Sequence, residues 1–424
     1  MTRTTEFNKG GPVDRPPLVR RCCSLLLWPT RRLAAIGVVL MLGALSPYNF
    51  VQAQTTWKWT VEQVDTSAQF TSLAVDADGN VHVAYAFGGN GYDLKYAFRA
   101  VGSAKWFNML LEREFSDYAT DIAIDLDQNP HICLTPREVK YASWDGKAWR
   151  IQQIDAGSGT AEYNCSVVFG KDNVAHLTWY QTRNAGNQNF LHIKYANLSD
   201  RVWTARTVDV DRECGKWNSV VVDVEGHPHV AYSVFPPGEL KYSVFDGKDW
   251  HYSVVDSPST RGTTRHATGM GVSLALNENR EYFMSFYESP AFDGDTRNPG
   301  FLKVAHLVND KWKIETVDQV FKGTGWAEYV TALEFDKHRF PHVSYEDGGA
   351  LKHAYWDGER WHVQLLVGAG ADKALYSSMK IGPGDTIYIS HRNPLDGSLS
   401  VVVGRPTSVA VANSTSLKTS ESQH

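Results

Sequence analysis

Short stretches in which apolar and polar residues alternate run along most of the chain and predict β-strands. Residues 72–85 read SLAVDADGNVHVAY, and residues 219–232 read SVVVDVEGHPHVAY. In each, an alternating segment ends in an Asp-Gly type of turn and a second alternating segment follows, which is typical of an antiparallel hairpin. The recurrence of one phrase in two places indicates an internal repeat.

Three landmarks recur in a fixed order and define the repeat unit. The first is the strand before the Asp turn, which begins at Ser72, Asp121, Ser219, Ser273 and Ala332. The second is a short strand of the type LKYA, which begins at Leu94, Val139, Ile193, Leu240, Leu302 and Leu351. The third is a strand opened by a tryptophan, at Trp106, Trp149, Trp203, Trp250, Trp312 and Trp361. Since a His-x-x-Tyr strand lies between the first two landmarks, each unit contains four strands.

Six complete units extend from residue 71 to about residue 367, and a seventh unit lacks its tryptophan strand. The segment from Trp59 to Asp65, WTVEQVD, has the missing strand's spacing and precedes the first unit. Four-stranded sheets repeated radially form a propeller. We therefore predict an all-β fold, a seven-bladed β-propeller of four-stranded antiparallel blades, in which the N-terminal strand completes the C-terminal blade and closes the ring. The propeller is expected at residues 54–405, before a disordered Ser/Thr-rich tail at 406–424.

This repeat plan resembles the sialidase-like, BNR-repeat propeller superfamily over residues 57–405. True sialidases differ from it, since DADGNVHV lacks the tryptophan of their Asp box, FRAVG at 98–102 lacks their Ile-Pro, and the unit count is seven. The resemblance thus implies the propeller architecture without sialidase activity. Similar seven-bladed propellers include polysaccharide lyases, which use His, Tyr and Arg on anionic sugars.

The N-terminal residues 1–53 are predicted to be an export signal. Arg31 and Arg32 precede an apolar run at 33–45, and Val51-Gln52-Ala53 then offers small residues at 51 and 53 for a signal peptidase. Export would place the mature chain in the periplasm or outside the cell, with no membrane span. The whole chain has a formal net charge of −5, and the signal holds more basic than acidic residues, so the mature chain is more acidic still. This charge argues against nucleic acid as a partner. A monomer that binds a glycan or an envelope protein is expected.

Three cysteines remain after the signal, and an exported chain can oxidise them. Cys165 and Cys214 are predicted to sit at the same mouth of the ring and to pair. Cys133 lies within a strand and is predicted to stay a buried free thiol.

The recurring histidines suggest a metal site, but their positions favour a structural role. His82, His131, His176, His229 and His342 occupy one repeat position in five different units. Metal ligands must converge on one point, whereas these would form a wide ring. We therefore expect each histidine to be satisfied by its neighbours, the Asp-Gly turns to be hairpins rather than calcium loops, and no metal or cofactor.

Loops that lead into the first strand of each unit are expected to gather at one mouth and to carry the binding residues. Their aromatic residues suit the apolar faces of sugars. Their arginines suit carboxylate or sulfate groups. The ligand-binding candidates are Tyr118, Tyr163, Trp217, Tyr376, Arg212, Arg261 and Arg265. Packing of the aromatic residues against one another, to plug the channel, is the alternative.

Two classes of function are compatible with the sequence. The first is a binding or scaffold module, for carbohydrate or a cell-envelope partner. The second is a carbohydrate-active enzyme, a lyase on an anionic glycan before a hydrolase, in which His266 and Tyr329 would be the catalytic residues and Arg265 would hold the acid group. The two classes differ in whether His266, a tyrosine and an arginine converge in one open cleft.

Overall fold

The computed structural model describes residues 56–88, 92–115, 120–135, 138–154, 160–185, 188–211, 213–236, 238–261, 264–290, 299–321, 330–370 and 376–407. These residues form 29 strands and a short 3-10 helix, Pro383–Asp385. Within this part of the chain, no helix is long and apolar enough to cross a membrane. All of them belong to one unit of the chain, Ala53–His424.

The strands follow one another in chain order, four to a repeat unit. The strands before the fourth unit are β1 (Thr56–Asp65), β2 (Gln69–Val75), β3 (Val81–Phe87), β4 (Tyr92–Arg99), β5 (Phe107–Phe115), β6 (Thr120–Ile124), β7 (Pro130–Leu134), β8 (Lys140–Trp144), β9 (Trp149–Gln153), β10 (Thr160–Phe169), β11 (Ala175–Ala185), β12 (Gln188–Ser199) and β13 (Val202–Asp209). The remaining strands are β14 (Glu213–Val222), β15 (Pro228–Phe235), β16 (Glu239–Phe245), β17 (Trp250–Asp256), β18 (Ser259–Arg261), β19 (Thr264–Leu276), β20 (Tyr282–Pro290), β21 (Gly300–Val308), β22 (Lys311–Val320), β23 (Thr331–Phe335), β24 (Pro341–Asp347), β25 (Ala350–Trp356), β26 (Trp361–Val367), β27 (Ser378–Gly382), β28 (Thr386–Arg392) and β29 (Leu399–Thr407).

Each repeat unit pairs its own strands in antiparallel order. β2–β5, β6–β9 and β23–β26 form separate four-stranded sheets. The third and fourth units, β10–β13 and β14–β17, share one sheet through a single parallel bridge between Leu191 and Glu213. The fifth unit, β19–β22, gains the short strand β18 at its edge. The sequence prediction of four-stranded antiparallel units is confirmed.

The N-terminal strand belongs to the last sheet, whose order is β1-β29-β28-β27. β1 pairs antiparallel with β29 from Thr56 opposite Thr407 to Asp65 opposite Leu399. Asp65 then accepts hydrogen bonds from Tyr85 (2.7 Å) and Lys95 (2.9 Å) of the first unit. An apolar cluster between the two sheets includes Leu73 and Val403. The first and last units are therefore packed neighbours.

The Asp turns have one geometry throughout the repeat. Where the turn begins with an aspartate, its side chain accepts a hydrogen bond from the backbone N–H four residues later, as Asp76 does from Asn80 (2.8 Å); Gly170, Asn277 and Gly382 take the aspartate's place in the third, fifth and seventh units. The residue three positions after the aspartate has positive φ, which Gly79 and Gly226 adopt without a Cβ penalty. Gln128, Asn173, Arg280, Arg339 and Asp385 hold the same conformation at the equivalent positions. The turns are thus hairpins, as the sequence predicted.

The repeated histidines are buried and hydrogen-bonded inside their own units. His82 Nε2 lies 3.3 Å from Asp76 Oδ2, and its Nδ1 lies 2.7 Å from the Tyr96 hydroxyl. His131 repeats the arrangement with Asp125 (3.1 Å) and Tyr141 (2.7 Å). The prediction that neighbours satisfy these histidines is confirmed for His82 and His131, whereas the buried Nε2 of His176 has no hydrogen-bond partner among the described residues.

The predicted disulfide between Cys165 and Cys214 is wrong. Cys165 is bonded to Cys133, with a Cα–Cα distance of 6.3 Å. Cys133 lies in β7 and faces β10 of the following unit, within the apolar cluster between the two sheets. Cys214 is instead a buried free thiol, and burial raises its pKa to about 12. The bond therefore joins neighbouring units, which the assignment of Cys133 to a strand interior did not anticipate.

Candidate functional site

The first strands of the repeat units surround a central cavity of about 640 Å³. Residues from β2, β6, β10, β14, β19, β23 and β27 line it. A volume of this size is typical of small-ligand sites, which occupy about 300–1,000 Å³. Within the described residues, this cavity is the place where all units contribute to one surface.

A layer of hydroxyl groups links the first strands around this cavity. In each case a serine Oγ, or the Asp121 carboxylate, accepts a hydrogen bond from a backbone N–H of the next first strand. The pairs are Leu73 N with Ser378 (3.1 Å), Ile122 N with Ser72 (3.3 Å), Val167 N with Asp121 (2.8 Å), Val220 N with Ser166 (3.3 Å), Leu274 N with Ser219 (3.1 Å) and Leu333 N with Ser273 (3.1 Å). Ala332 occupies the remaining position and has no hydroxyl to offer.

Asp121 replaces a serine of this layer with a carboxylate. It accepts hydrogen bonds from Ser72 Oγ (2.8 Å), Val167 N (2.8 Å) and Ile122 N (3.0 Å). Burial raises the pKa of Asp121 in spite of these bonds and of the nearby charge of Lys380. Asp121 is therefore a protonatable group in the cavity wall.

An ion pair lies two residues further along the strands. Lys380 Nζ of β27 contacts Glu334 Oε1 of β23. Burial opposes the charge of Lys380, but Glu334 and Asp121 outweigh it and raise the lysine pKa. The Lys380 ammonium can offer a donor and the Glu334 side chain an acceptor to a ligand.

Aromatic side chains stand where the first strands begin, at one end of the cavity. Phe70 and Tyr376 pack with ring centroids 4.4 Å apart, and Trp217 also lines the wall. Phe70 and Tyr376 both have φ of 48°, a conformation that bulky residues rarely adopt. Backbone strain of this kind concentrates at functional sites. We call Phe70, Trp217 and Tyr376 the aromatic rim.

Two of the predicted binding residues thus reach the cavity, Trp217 and Tyr376. Tyr118, Arg212 and the catalytic candidate Tyr329 lie outside the described residues. Tyr163 belongs to β10 and Arg261 to β18, but their side chains are not described. Phe70, Asp121, Glu334 and Lys380 were missed. Alignment of the repeats could have found the last three, since each replaces a serine, alanine or valine of the other units.

Arg265 and His266 do not share one face of β19. Arg265 is exposed, whereas His266 is 2% exposed and its Nδ1 lies 3.5 Å from Glu288 Oε1. Glu288 is itself buried and pairs with Lys303. Adjacent residues of a strand point to opposite faces, which explains the separation. The open cleft that the sequence suggested is not formed by these two residues, and the catalytic role of His266 stays a prediction.

Within the described ranges, no group of three or more His, Cys, Asp or Glu side chains is placed to hold a metal ion. In the cavity wall, Glu334 and Lys380 pair with each other, and Asp121 accepts hydrogen bonds from backbone donors. Such an arrangement can bind a polar ligand through hydrogen bonds.

No protein-family model matches this sequence, and no curated protein is significantly similar to it. Solved structures are similar in fold. A lectin from Burkholderia pseudomallei, BP39L, aligns with a TM-score of 0.60 at 13% identity and covers 82% of this chain and 100% of its own. An ulvan lyase of polysaccharide lyase family PL25 aligns with a TM-score of 0.53 at 12% identity over 83% of this chain and 98% of its own. At these identities the likeness concerns the fold alone, and it supports a β-propeller built from four-stranded antiparallel sheets.

Proposed function

We propose that this chain is an exported, seven-bladed β-propeller that binds carbohydrate at the aromatic rim of its central cavity. The observation that carries the proposal is the combination of strained aromatic residues at one end of the cavity with a hydroxyl and charged lining behind them. Aromatic faces stack on the apolar faces of sugar rings. Hydroxyl, carboxylate and ammonium groups hydrogen-bond the sugar hydroxyls.

The seven-bladed, closed form of the ring is part of this proposal. Supporting it, the hydroxyl layer continues from the last first strand to the first one, through Leu73 N and Ser378. β1 fills the outer position of the last sheet. A closed ring keeps the cavity lined on every side, and a rigid wall is what a binding site requires.

Binding is proposed ahead of catalysis because of the position of His266. A general acid or base must come within hydrogen-bond reach of the reacting group. His266 is buried beside Glu288 and Lys303 rather than in the cavity wall. The two similar structures are a lectin and a lyase, so they are compatible with either class.

The binding proposal is tested by glycan-array screening of the purified protein, followed by calorimetry on the best ligand. Tyr376→Ala is expected to weaken binding about tenfold, because it removes a stacking face. Tyr252→Ala, an exposed tyrosine on the outer strand β17, is the matched control and should bind like the parent. Equal affinity of the parent and Tyr376→Ala would place the site elsewhere.

The lyase alternative has its own readout. The purified protein is incubated with anionic polysaccharides, and the absorbance of unsaturated uronates is followed. Product that appears with the parent and disappears in His266→Ala would replace the binding proposal with the enzymatic one. Binding without product, in a variant series that changes affinity alone, supports the binding module.

A further inference from the structure

The inner wall of the cavity changes character between the fifth and seventh units. Two residues after the hydroxyl layer, the first strands of the other units carry small apolar residues. They are Ala74, Ala123, Val168, Val221 and Ala275. The sixth and seventh units carry Glu334 and Lys380 at this position, joined as an ion pair. At this depth the cavity wall is therefore polar at Glu334 and Lys380 and apolar at Val168, Val221 and Ala275.

The ion pair is enclosed by the cavity wall, which opposes the lysine charge, yet its side chains stay accessible from the cavity. Side-chain exposure is 43% for Lys380 and 26% for Glu334, and both residues line the cavity. The first strands enclose this space, so the exposed atoms face its interior. A ligand that enters the cavity would therefore meet a carboxylate and an ammonium side by side.

The charges of the wall argue for a neutral ligand. The charged residues that line the cavity are Asp121, Glu334, Lys216 and Lys380, two acidic and two basic. Lys216 lies at the rim, with Nζ 5.4 Å from the Trp217 ring. Among the described residues, the deeper part holds one ammonium, Lys380, and it is paired with Glu334, so no uncompensated cation is left there for an anionic group. Since the whole chain is also acidic, with a net charge of −5, long-range attraction does not compensate.

We propose that the cavity receives the end of a neutral glycan, and that Glu334 and Lys380 bind neighbouring hydroxyls of its terminal sugar. This inference rests on the proposed function and specifies its ligand class. A chain end is expected because, in the described part of the chain, the first strands of all units line the cavity and surround whatever enters it. The Glu334 carboxylate accepts from one hydroxyl and the Lys380 ammonium donates to the next, while the aromatic rim stacks on the following sugar.

A purely structural role is the competing explanation for the ion pair. Ala332 interrupts the hydroxyl layer between β23 and β27, and the Glu334–Lys380 pair links the same two strands. The test must therefore separate strand linkage from ligand recognition. A charge swap, Glu334→Lys with Lys380→Glu, keeps the linkage and exchanges the donor and the acceptor.

The first arm of the test measures ligand class by calorimetry. The probes are the methyl glycosides of glucose, galactose and fucose, beside methyl glucuronide and methyl galacturonide. We expect at least one neutral glycoside to bind at least tenfold more tightly than the uronides. Tighter binding of the uronides overturns the inference and leaves carbohydrate binding intact. Absence of binding to these probes and to the glycan array overturns both proposals.

The second arm uses variants that keep the fold, which is checked by thermal unfolding. Glu334→Gln and Lys380→Gln are each expected to weaken the neutral glycoside about tenfold, since each removes a charge-assisted hydrogen bond. Glu225→Gln breaks a surface ion pair with Arg280 and is the control, with unchanged affinity expected. The charge swap should regain the melting temperature without regaining affinity. Full recovery of affinity in the swap, or unchanged affinity in both single variants, shows that the pair only links the strands.

Discussion

At the scale of single residues, the repeated histidine and the tyrosine of the LKYA strand occur together in a unit and contact each other. Where the histidine is present, the LKYA tyrosine is usually present as its partner, as in His176 with Tyr195 (2.6 Å). In the sixth unit, His353 takes the tyrosine position and lies 2.9 Å from His342. In the fifth unit both are replaced, by Phe283 and Val304. Paired replacement within one chain indicates that the two residues serve each other.

This burial makes stability depend on pH, and His176 is the clearest case. Burial lowers its pKa to about 4, against the opposing charge of Asp172. In the unfolded chain the pKa of a histidine is about 6.5. Between these values the unfolded chain holds a proton that the folded chain does not, so stability falls as the pH falls through this window. The shift corresponds to a loss of about 3 kcal/mol at the acid end.

His176→Phe should therefore flatten the decline of unfolding free energy between pH 6.5 and 4. Phenylalanine fits the position because Phe283 holds it in the fifth unit. Tyr195→Phe is the control, since it removes the same hydrogen bond and keeps the titrating ring. Urea unfolding followed by tryptophan fluorescence across this range measures the slope. If unfolding free energy falls with pH as steeply in His176→Phe as in the parent, the pH dependence is not due to His176.

At the scale of elements, the tryptophan strand of one unit is fastened to the next unit by an acid. Asp209 at the end of β13 accepts from Tyr232 (2.8 Å) and Lys241 (3.1 Å) of the fourth unit. Asp318 at the same repeat position accepts from Tyr345 (2.6 Å) and Lys352 (2.9 Å). The aspartate that ends the tryptophan strand and the lysine of the LKYA strand are thus the two partners of one contact.

Repeated contacts of this kind accompany the features of the fold that the sequence could predict, whereas other features could not be predicted. The order of the strands, the type of turn and the position of β1 could be predicted from local alternation and repeat spacing, because every unit repeats the same arrangement of strands. The sequence did not predict which face of a strand each linker residue occupies. The sequence suggested that His266 lies in an open cleft, but this residue is buried within β19. Segment length and alternation do not reveal that β19 includes this residue, since tertiary packing decides where a strand begins.

The disulfide could have been predicted from the same repeat. Cys165 and Cys133 hold the positions of Thr331 and Ser285, whose hydroxyls lie 2.7 Å apart. The same positions carry Thr71 and Ser390 (3.0 Å) at the junction of the first and last units. The two cysteines are thus a covalent form of a contact between neighbouring units. Reading cysteines by linker position rather than by repeat position led to the wrong pair.

Cys133→Ser with Cys165→Thr recreates that hydroxyl pair without the covalent bond. The bond closes a separation of 32 residues, so loop-closure entropy predicts a loss of about 3–4 kcal/mol. Reduction of the parent should give a similar loss. Cys214→Ser, a change at the free thiol, should not alter the response to reductant. Denaturant unfolding with and without reductant measures both, and a parent insensitive to reductant would contradict the bond.

At the scale of the whole molecule, the first and last described strands pair in one sheet, and stability should depend on that pairing. β1 hydrogen-bonds β29 along its length, and Asp65 fastens it to Tyr85 and Lys95. Without β1, β29 would become an edge strand with unpaired backbone groups. The buried face of β29 would also become exposed, and the Lys95 ammonium would lose its ion pair with Asp65.

Deletion of residues 59–65 should therefore abolish cooperative folding of the whole propeller, not of the last sheet alone. In a closed ring each sheet packs against two neighbours, so opening it at one junction weakens every other. Val61→Thr, an exposed change on the same strand, is the matched control and should melt like the parent. The melting temperature of Asp65→Asn should lie between those of the deletion and of Val61→Thr, because this change keeps the strand and weakens the ion pair with Lys95. Differential scanning calorimetry gives the comparison, and a deleted chain that melts in one transition at the parent temperature would rule out closure by β1.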